Sequence, residues 1–317
     1  MTNRDGSLVP SRTVLKEGKL CYVSSSTADG PFVAPVPFAY SGGRVWFTMS
    51  RTSDAVRSWR EGNFAAALVR YGYWAVSLVG VVRIHDVLDP STWVGTGLDL
   101  RGVAAAGAAY AAKNRMFFRG RGGFPLGWMP PGRVFVEFAV HGAVVIDTAS
   151  GEVGNWSGRP WVRRLVSHPT FRASKRGEDP LARLPVDVAS AVGGRGDAAV
   201  ALASDEVLVV VPARWSRGGT SLYAAASRRV LELAAGGPVL RAAMAVNGGP
   251  SWRAKDMAGI LVRGEGDLHD LKALGSGARS ASARVAATGA SGDGAVLLKL
   301  TPGRLSWWRG TDVAGGR

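Results

Sequence analysis

The sequence predicts a mostly β protein made of two small barrels with a few helices, joined in tandem and packed against each other. Three features of the 317 residues support that prediction. A strand–turn–strand segment occurs once in each half, other segments repeat in the same order, and runs such as AAVALA and EVLVVVPA are apolar enough for burial on both faces. We expect the first barrel in residues 1–150, a linker in 151–183 and the second barrel in 184–317.

The clearest repeat is a hairpin with a glycine turn. In the first half VPFAYSGGRVWF runs from Val36 to Phe47, and in the second half VPARWSRGGTSLY runs from Val211 to Tyr223. Each reads as a strand, a turn and a strand that carries an aromatic residue. Tight hairpins need positive φ angles, which we expect at Gly42-Gly43 and at Gly218-Gly219.

Three further segments repeat in the same order. Before the hairpins, TVLKEGKLCYVSS and VDVASAVGGRGDAAVALAS both predict a helix, a glycine and a strand. After them, LVGVVRIHD matches VRGEGDLHD, each with a glycine five residues before a histidine. Last, Val134–Ile146 matches Val296–Trp308, and each of these predicts a strand, a turn and a strand. Four matches in one order indicate a duplicated unit.

The segments between the repeats differ in the two halves. Residues 89–132 contain DLRGVAAAGAAYAAKNRMFF, which predicts one helix. The second half has KALGSGARSASARVAATGASGDG instead, a small-residue segment typical of a surface loop.

Composition indicates a folded protein that does not cross a membrane. Hydrophobic residues make up 46% and charged residues 20% of the chain, and mean hydropathy is +0.06. No apolar run reaches the ~18 residues that a membrane-spanning helix requires. MTNRDGSLVPSR at the start lacks the apolar stretch of a secretory signal, and a single cysteine, Cys21, excludes an internal disulfide and a multi-cysteine metal site. We expect a cytoplasmic protein without a membrane partner, with Cys21 in the core.

Net charge is the most unusual property of the sequence. Lysine and arginine number 39 against 24 acidic residues, which gives +15 and a pI near 10.8. Such a field favours anionic partners: phosphates, polyanionic cofactors or nucleic acid. The competing explanation is composition alone, since arginine is spread along the chain without a dense basic run. Tryptophans next to arginines also suit single-stranded nucleic acid, but they are scattered over different elements and core packing is the favoured interpretation.

The first half resembles a known family. From residue 14 to 86 the order VLKEGKLCYVSSSTADGPFVAPVPFAYSGGRVWFTMSRTSDAVRSWREGNFAAALV…VSLVGVVRIHD is similar to the pyridoxamine 5'-phosphate oxidase-like flavin-binding split barrels. The shared pattern is a helix and a glycine, a strand with Pro-x-Pro-x-Phe-like spacing, a Gly-Gly turn, an aromatic strand, a hydroxyl-rich turn before a helix, and a Val-x-Gly strand. The second half shows the resemblance only through the repeat.

The resemblance implies a cofactor site between two barrels. Split barrels of this family pair as two-fold dimers, with a flavin or a deazaflavin in the groove between them, and here the tandem halves would form that pair within one chain. The chain would then be an oxidoreductase acting on a small-molecule substrate, with FMN as the expected cofactor and a deazaflavin as the alternative. Further self-association is possible but not required. The residues implied to bind the cofactor are Pro35, Val36, Thr48, Met49, Ser50, Arg51, Ser53, Arg57 and Trp74.

Those assignments have a physical basis at the turn. A helix that begins near Asp54 would present backbone amides, hydroxyls and the Arg57 guanidinium to a phosphate monoester. The chain departs from the family at Ala55, where a lysine is common, and Asp54 adds a carboxylate beside it. Loss of a charge-assisted hydrogen bond would weaken phosphate binding by roughly 1–3 kcal/mol, which Arg51 and Arg57 would offset.

The second half is expected to form the opposite wall of the site. Its corresponding turn, residues 224–227, is alanine-rich, so we expect one competent site, built on the first half. Trp252, Arg253 and Lys255 precede the second Val-x-Gly-like strand and are the expected second-half contributors.

Two other functions remain open from the sequence. Some split-barrel relatives bind haem through histidine, which would fall to His85 or His141, although a second ligand is not evident. His85 and His269 are each followed by an aspartate, a pairing that orients an imidazole, but solvated strand ends are the favoured interpretation. Alternatively, the protein is a non-catalytic binding protein whose flavin site has decayed.

Overall fold

A computed structural model describes most of the chain. The described residues are 8–93, 100–119, 132–154, 156–158, 179, 181–203, 207–227, 240–248, 253–270, 295–310 and 312–316. Within these ranges, none of the helices has the length and apolar character needed to cross a membrane.

The first barrel contains six strands that close on themselves. In sheet order they run β3-β2-β1-β4-β5-β6, and pairing of β3 with β6 closes the ring. The strands are β1 (Leu20–Thr27), β2 (Gly30–Ser41), β3 (Arg44–Ser50), β4 (Phe64–Tyr71), β5 (Trp74–His85) and β6 (Arg133–Asp147), with a two-residue β7 (Ser157–Gly158) beside β6. Its helices are α1 (Leu8–Glu17), α2 (Asp54–Glu61) and α3 (Leu100–Asn114), with a 3₁₀ turn at Pro90–Trp93.

The second barrel repeats this topology. Its ring has the order β10-β9-β8-β11-β12-β13, closed by pairing of β10 with β13. The elements are α4 (Val186–Val192), β8 (Arg195–Ala203), β9 (Leu208–Gly218), β10 (Ser221–Ser227), β11 (Leu240–Gly248), a 3₁₀ turn (Ala254–Asp256), β12 (Ala258–Asp270), β13 (Ala295–Arg309) and β14 (Asp312–Gly316). The chain is therefore mostly β, with two closed barrels in tandem, as the sequence predicts.

All four repeated segments fall on equivalent elements. The helix-glycine-strand leads form α1–β1 and α4–β8, and the hairpins form β2–β3 and β9–β10. Ser41 pairs with Arg44 across the first hairpin as Gly218 pairs with Ser221 across the second. In this register Ser227 is the counterpart of Ser50. The structural alignment of the two hairpins therefore differs slightly from the alignment of their sequences. Gly219 alone has the positive φ (66°) expected of the second glycine pair, because Gly218 is the last residue of β9.

The last repeat is a single bent strand rather than a strand, a turn and a strand. Both β6 and β13 run for 15 residues, and each pairs with two neighbours of its barrel. His141 and Gly303 are the extra residues of β-bulges, so the predicted turns are wrong at both places. A bulge bends a strand without reversing it, which allows one strand to close a small barrel.

The bulges require glycine on the facing strand. A Cβ at Gly80 of β5 would lie 2.1 Å from the carbonyl oxygen of Ala139, and one at Gly264 of β12 would lie 2.0 Å from that of Thr301. These are the glycines of the repeated Val-x-Gly-like segments. These glycines therefore repeat because each barrel has the same close contact between the glycine and a carbonyl group of the facing strand.

The barrels pack through their apolar faces. Strand β2 lies against β8, β11 and β12, while β9 lies against β1, β4 and β5. One buried apolar cluster includes Val33 and Leu68 of the first barrel together with Val211 and Met244 of the second. A second cluster fills the first barrel and contains Cys21, which is fully buried as expected.

Helix α3 confirms the helix predicted in the first-half insertion. It covers β2 and β3, where the Asn114 amide donates to the Phe38 carbonyl (3.2 Å) and the Lys113 ammonium lies 3.8 Å from the Phe38 ring centroid. Burial lowers the pKa of Lys113 to about 8. The predicted surface loop of the second half and most of the linker lie outside the described residues, and the division at residues 150 and 183 stays a prediction.

We expect Gly80→Ala to destabilise the protein, because its Cβ would collide with backbone that cannot move away. The free energy of unfolding, measured by urea denaturation, should fall by about 1–3 kcal/mol. Gly194→Ala is the matched control, since a Cβ there meets nothing within 4 Å. Equal losses in the two variants would contradict the steric explanation.

Candidate functional site

The internal repeat defines two equivalent regions where the barrels meet, which we call the first and second grooves. The first comprises β2, the end of β3 and the start of α2, with β12 of the second barrel opposite. The second comprises β9 and the end of β10, with the first barrel opposite. The residues that the sequence analysis assigned to a cofactor divide between these grooves and the interior.

The turn between β3 and α2 forms as the sequence predicts. Ser53 is the N-cap of α2: its backbone N–H donates to the Ser50 carbonyl (3.1 Å), and its Oγ accepts from the backbone N–H of Val56 (3.3 Å). Ser50 Oγ lies 3.2 Å from Thr52 Oγ1. Asp54 stands in the first helical turn, and Arg57, with 71% of its side chain exposed, approaches it to 3.9 Å.

The side chain of Arg51 extends from this turn to a buried carboxylate. Its guanidinium lies 2.5 Å from Asp86 Oδ1, and Arg60 of α2 lies 2.8 Å from Oδ2 of the same residue. Asp86 is fully buried and also accepts from the backbone N–H of Leu88 (3.0 Å). Arg51 therefore fastens the turn to the end of β5.

Thr48 and Met49 belong to the barrel interior. Thr48 Oγ1 lies 3.2 Å from the Tyr110 hydroxyl of α3 and accepts from Arg133 Nε (3.1 Å). Burial raises the pKa of Tyr110 to about 12, so its hydroxyl stays protonated. Met49 packs in the first-barrel core. On β2, Val36 is buried and Pro35 is half-buried.

Ala55 is also buried in that core, which changes the meaning of the departure from the family pattern. A side chain at this position points inward, so its change to alanine removes no charge from the groove. The cation at the groove comes from elsewhere in the chain.

That cation is Arg263 of β12, which reaches across the groove to the start of α2. Its Nη2 lies 3.5 Å from Asp54 Oδ2, and its guanidinium carbon lies 5.1 Å from the centroid of the Phe32 ring. Only 4% of the side chain is exposed, and its Nε and Nη1 atoms have no hydrogen-bond partner among the described residues. Burial and nearby Arg304 lower the pKa of Arg263, while Asp54 and Asp29 oppose that shift.

Sequence reasoning missed Arg263 although a signal was present. It directly precedes the bulge glycine Gly264 in VRGEGDLHD, where the first half has Val79 before Gly80. A charged residue in place of a buried valine within a repeat is the observation that would have identified it.

Trp74 lies at the opposite end of the first barrel from Ser50. Ser50 pairs with Arg133 at one end of β6, whereas Trp74 pairs with Asp147 at the other end. Asp147 borders a cavity of about 160 Å³ between the barrels. Its lining consists of Arg70, Ile146, Asp147, Thr148, Ser150, Gly151, Glu152, Pro212, Ala213, Arg214, Ala225, Ala226 and Ser227.

This cavity shows which parts of the fold surround a groove. Its second-barrel lining corresponds in register to Pro35, Val36, Pro37, Thr48, Met49 and Ser50 of the first barrel. At the second groove, Ala225 and Ala226 take the places of Thr48 and Met49. Arg70 and Arg214 both bind Asp197, at 3.1 and 2.5 Å. The two grooves thus share a framework but differ in chemistry.

Two of the three expected second-half contributors, Arg253 and Lys255, flank Ala254 at the 3₁₀ turn before β12. The backbone N–H of Ala254 donates to the Phe117 carbonyl (2.9 Å), which places the 3₁₀ turn next to the end of α3. Arg253 is half-buried and Lys255 is exposed. Trp252 lies outside the described residues.

His85 is buried beside Glu137 and is not at a solvated strand end. Its Nε2 lies 3.1 Å from Glu137 Oε2, and its ring stacks on Trp46. His141 is exposed at the bulge of β6, and His269 is half-buried. No group of three or more acidic, histidine or cysteine side chains is placed to bind a metal ion in the described ranges.

Comparisons with known proteins find similarity at the level of structure. No family model and no curated protein matches the sequence. An F420 reductase shares 19% identity at a TM-score of 0.31, over 42% of this chain and 94% of its own. A Clostridium acetobutylicum protein related to general stress protein 26, of the pyridoxine-phosphate oxidase family, shares 13% at 0.32, over 48% and 93%. An FAD-binding protein from Mesorhizobium loti shares 14% at 0.34, over 44% and 93%.

Each of these structures is matched over nearly all of its own length but over less than half of this chain. The family that the sequence resembles is represented among these structures.

Asp86→Asn should destabilise the protein, because two arginines would lose the carboxylate that neutralises them. We expect the free energy of unfolding to fall by about 3 kcal/mol. The control is Asp89→Asn, an exposed carboxylate of the same loop that bonds only to Ser91 among the described residues. Similar losses for both variants, measured by urea denaturation, would show that the ion pairs of Asp86 with Arg51 and Arg60 are not the cause.

The ionised Glu137 carboxylate should stabilise the fold, and this stabilisation should be lost when the pH falls below the pKa of Glu137 in the folded protein. Burial opposes its ionisation, but the hydrogen bond from His85 and the charges of Arg44 and Arg83 hold the pKa of Glu137 below its ordinary value of 4.5. The stabilisation is therefore complete above pH 4.5 and disappears as pH falls through the lower pKa of the folded state. Thermal unfolding should show a stability gap between wild type and Glu137→Gln at pH 7 that narrows at about pH 3. A gap of constant size would contradict this assignment.

Proposed function

We propose that this protein is a flavin-dependent oxidoreductase that binds FMN in the first groove and acts on a small molecule. The observation that carries the proposal is the meeting of two elements at that groove: the hydroxyl-bearing turn before α2 and the buried Arg263 of the opposite barrel. A deazaflavin, whose tail is also anionic, is the second candidate cofactor.

The residues present fit an anionic cofactor tail. A guanidinium with 4% exposure and two nitrogen atoms unpartnered among the described residues needs acceptor oxygens. Phosphate oxygens supply them, and they also suit the positive end of α2. Ser50, Ser53 and Arg57 would hold the tail from the first barrel, and Arg263 from the second.

The rest of the groove would hold the rings. Half-buried Pro35 of β2 would form part of an apolar wall, whereas Val36 packs in the first-barrel core. The packing of β2 on the second barrel would keep water from that side. When bound, the flavin supplies hydride transfer, so the chain needs to position it and exclude solvent rather than to provide an acid–base pair. This agrees with a site whose described residues are mainly hydroxyls, arginines and apolar side chains.

The side chains of the second groove do not suit a cofactor, which supports a stoichiometry of one cofactor per chain. Val79 occupies the position equivalent to Arg263, and the turn residues there are Ala225 and Ala226. The arginines at this groove, Arg70 and Arg214, both bind Asp197, and the carboxylates of Asp147 and Glu152 line the same cavity. Trp74, at the opposite end of the first barrel from Ser50, would not contact the cofactor.

The proposal predicts saturable FMN binding at one equivalent per chain. Quenching of flavin fluorescence would give the affinity and the stoichiometry, and the absorbance spectrum of the bound state would show flavin bands. The Ser50→Ala, Arg57→Ala double variant should weaken FMN binding by about tenfold or more, since it removes a hydroxyl and a cation from the tail.

The matched control is the Ser227→Ala, Arg214→Ala double variant at the second groove, which should bind FMN as wild type does. Two equivalents of FMN per chain, or equal weakening in the two double variants, would contradict the assignment to the first groove. An intense Soret band on titration with haemin, without flavin binding, would identify the haem-binding alternative. Failure of FMN, a deazaflavin and haemin to bind would favour the alternative of a non-catalytic binding protein whose flavin site has decayed.

A further inference from the structure

We propose that the Asp54 carboxylate lies beside Arg263 where the phosphate group of a ligand would bind, and that it moves away when such a ligand binds. The inference rests on the proposed function only for the identity of the ligand as FMN. Its chemical content is wider: the site takes a phosphate monoester, and Asp54 competes with it.

The first step is the charge balance at the start of α2. Arg263 and Arg304 of the second barrel face Asp54 and Asp29 of the first, and Arg57 lies beside Asp54 on α2. Among these five groups, cations outnumber anions by one. Arg304 is occupied, since its Nη1 lies 2.5 Å from Asp29 Oδ2. The uncompensated positive charge therefore falls on Arg263 and Arg57, which share Asp54.

The second step is the weakness of the Asp54 contacts. Its carboxylate approaches Arg263 only to 3.5 Å and Arg57 only to 3.9 Å, beyond the 2.7–2.9 Å typical of charge-assisted hydrogen bonds. A buried guanidinium usually has its donors filled, yet the Nε and Nη1 atoms of Arg263 have no partner among the described residues. Asp54 thus balances the charge of Arg263 without satisfying its hydrogen-bonding capacity.

The third step is steric and electrostatic exclusion. A phosphate that fills the free donors of Arg263 at the start of α2 would lie beside the Asp54 carboxylate, and two anions at this distance repel each other. Asp54 is 36% exposed, so its side chain has room to rotate toward solvent. Binding then replaces one poor carboxylate contact with several phosphate contacts, at the expense of moving Asp54.

The inference makes an unusual prediction: removing an acidic residue from the site should strengthen ligand binding. Asp54→Asn should tighten FMN binding by about three- to tenfold, because no carboxylate has to be displaced and none repels the phosphate. Riboflavin, which has the same rings without the phosphate, should bind the variant and wild type equally.

Arg263→Met should have the opposite effect, weakening FMN by about tenfold or more with little effect on riboflavin. Arg263→Lys serves if the methionine variant does not fold, since it keeps the charge but loses the fork, and it should also reduce the preference for FMN over riboflavin. Asp187→Asn controls for net charge, because it makes the same change at the remote Arg309 pair. It should leave both flavins unaffected.

The measurements are flavin fluorescence quenching with FMN and riboflavin, and the shift of the thermal midpoint by inorganic phosphate. Equal changes in FMN and riboflavin affinity on altering Asp54 or Arg263 would overturn the inference while leaving the proposed function standing. If neither flavin binds, the proposed function fails, and phosphate alone decides the inference. Stabilisation by phosphate that increases in Asp54→Asn and is lost in Arg263→Met would uphold it, and absence of that pattern would overturn it.

Discussion

Apolar contact between the barrels is the constraint on which the rest of the structure depends. Each barrel has one strand, β2 or β9, whose outer face is apolar and requires cover. Covering both strands at once fixes the relative placement of the barrels and creates two grooves related by the internal repeat. Both the turn before α2 and Arg263 owe their positions to this packing, since they come from different barrels and meet only because β2 lies against β12.

Within this symmetric framework the two grooves have diverged in side-chain chemistry. The bulges, the glycines that face them and the barrel closures are the same in both halves. Among the differences between the halves is one beside the grooves, where Val79 of the first barrel corresponds to Arg263 of the second. Backbone geometry tolerates little change because a Cβ in the wrong place meets a carbonyl, whereas a groove residue can change as long as its new polar atoms find partners.

The sequence was most informative where the fold imposes a local rule. Glycine turns, the helix lead before β1, the capped start of α2 and the Val-x-Gly-like segments could all be predicted, because each depends on residues close together in the chain. The bend in β6 was mistaken for a turn because a bulge and a turn share polar or glycine-bearing sequence, as His141-Gly142 shows. The contacts of Arg51, Thr48 and His85 could not be predicted, because their partners, Asp86, Tyr110 and Glu137, are distant in sequence. Trp74 was assigned to the first groove because the sequence does not show which end of a long strand faces which partner.

Joining the two barrels in one chain has an evolutionary consequence. In a dimer of identical subunits, every substitution appears twice, so an arginine at the Val79 position would be introduced at both sites and would have to be tolerated at both. A duplicated gene removes that coupling, and one half can acquire Arg263 while the other keeps valine. The asymmetry of the grooves is thus a freedom that fusion provides: one site can be held under selection for its ligand while its twin drifts or acquires a new role.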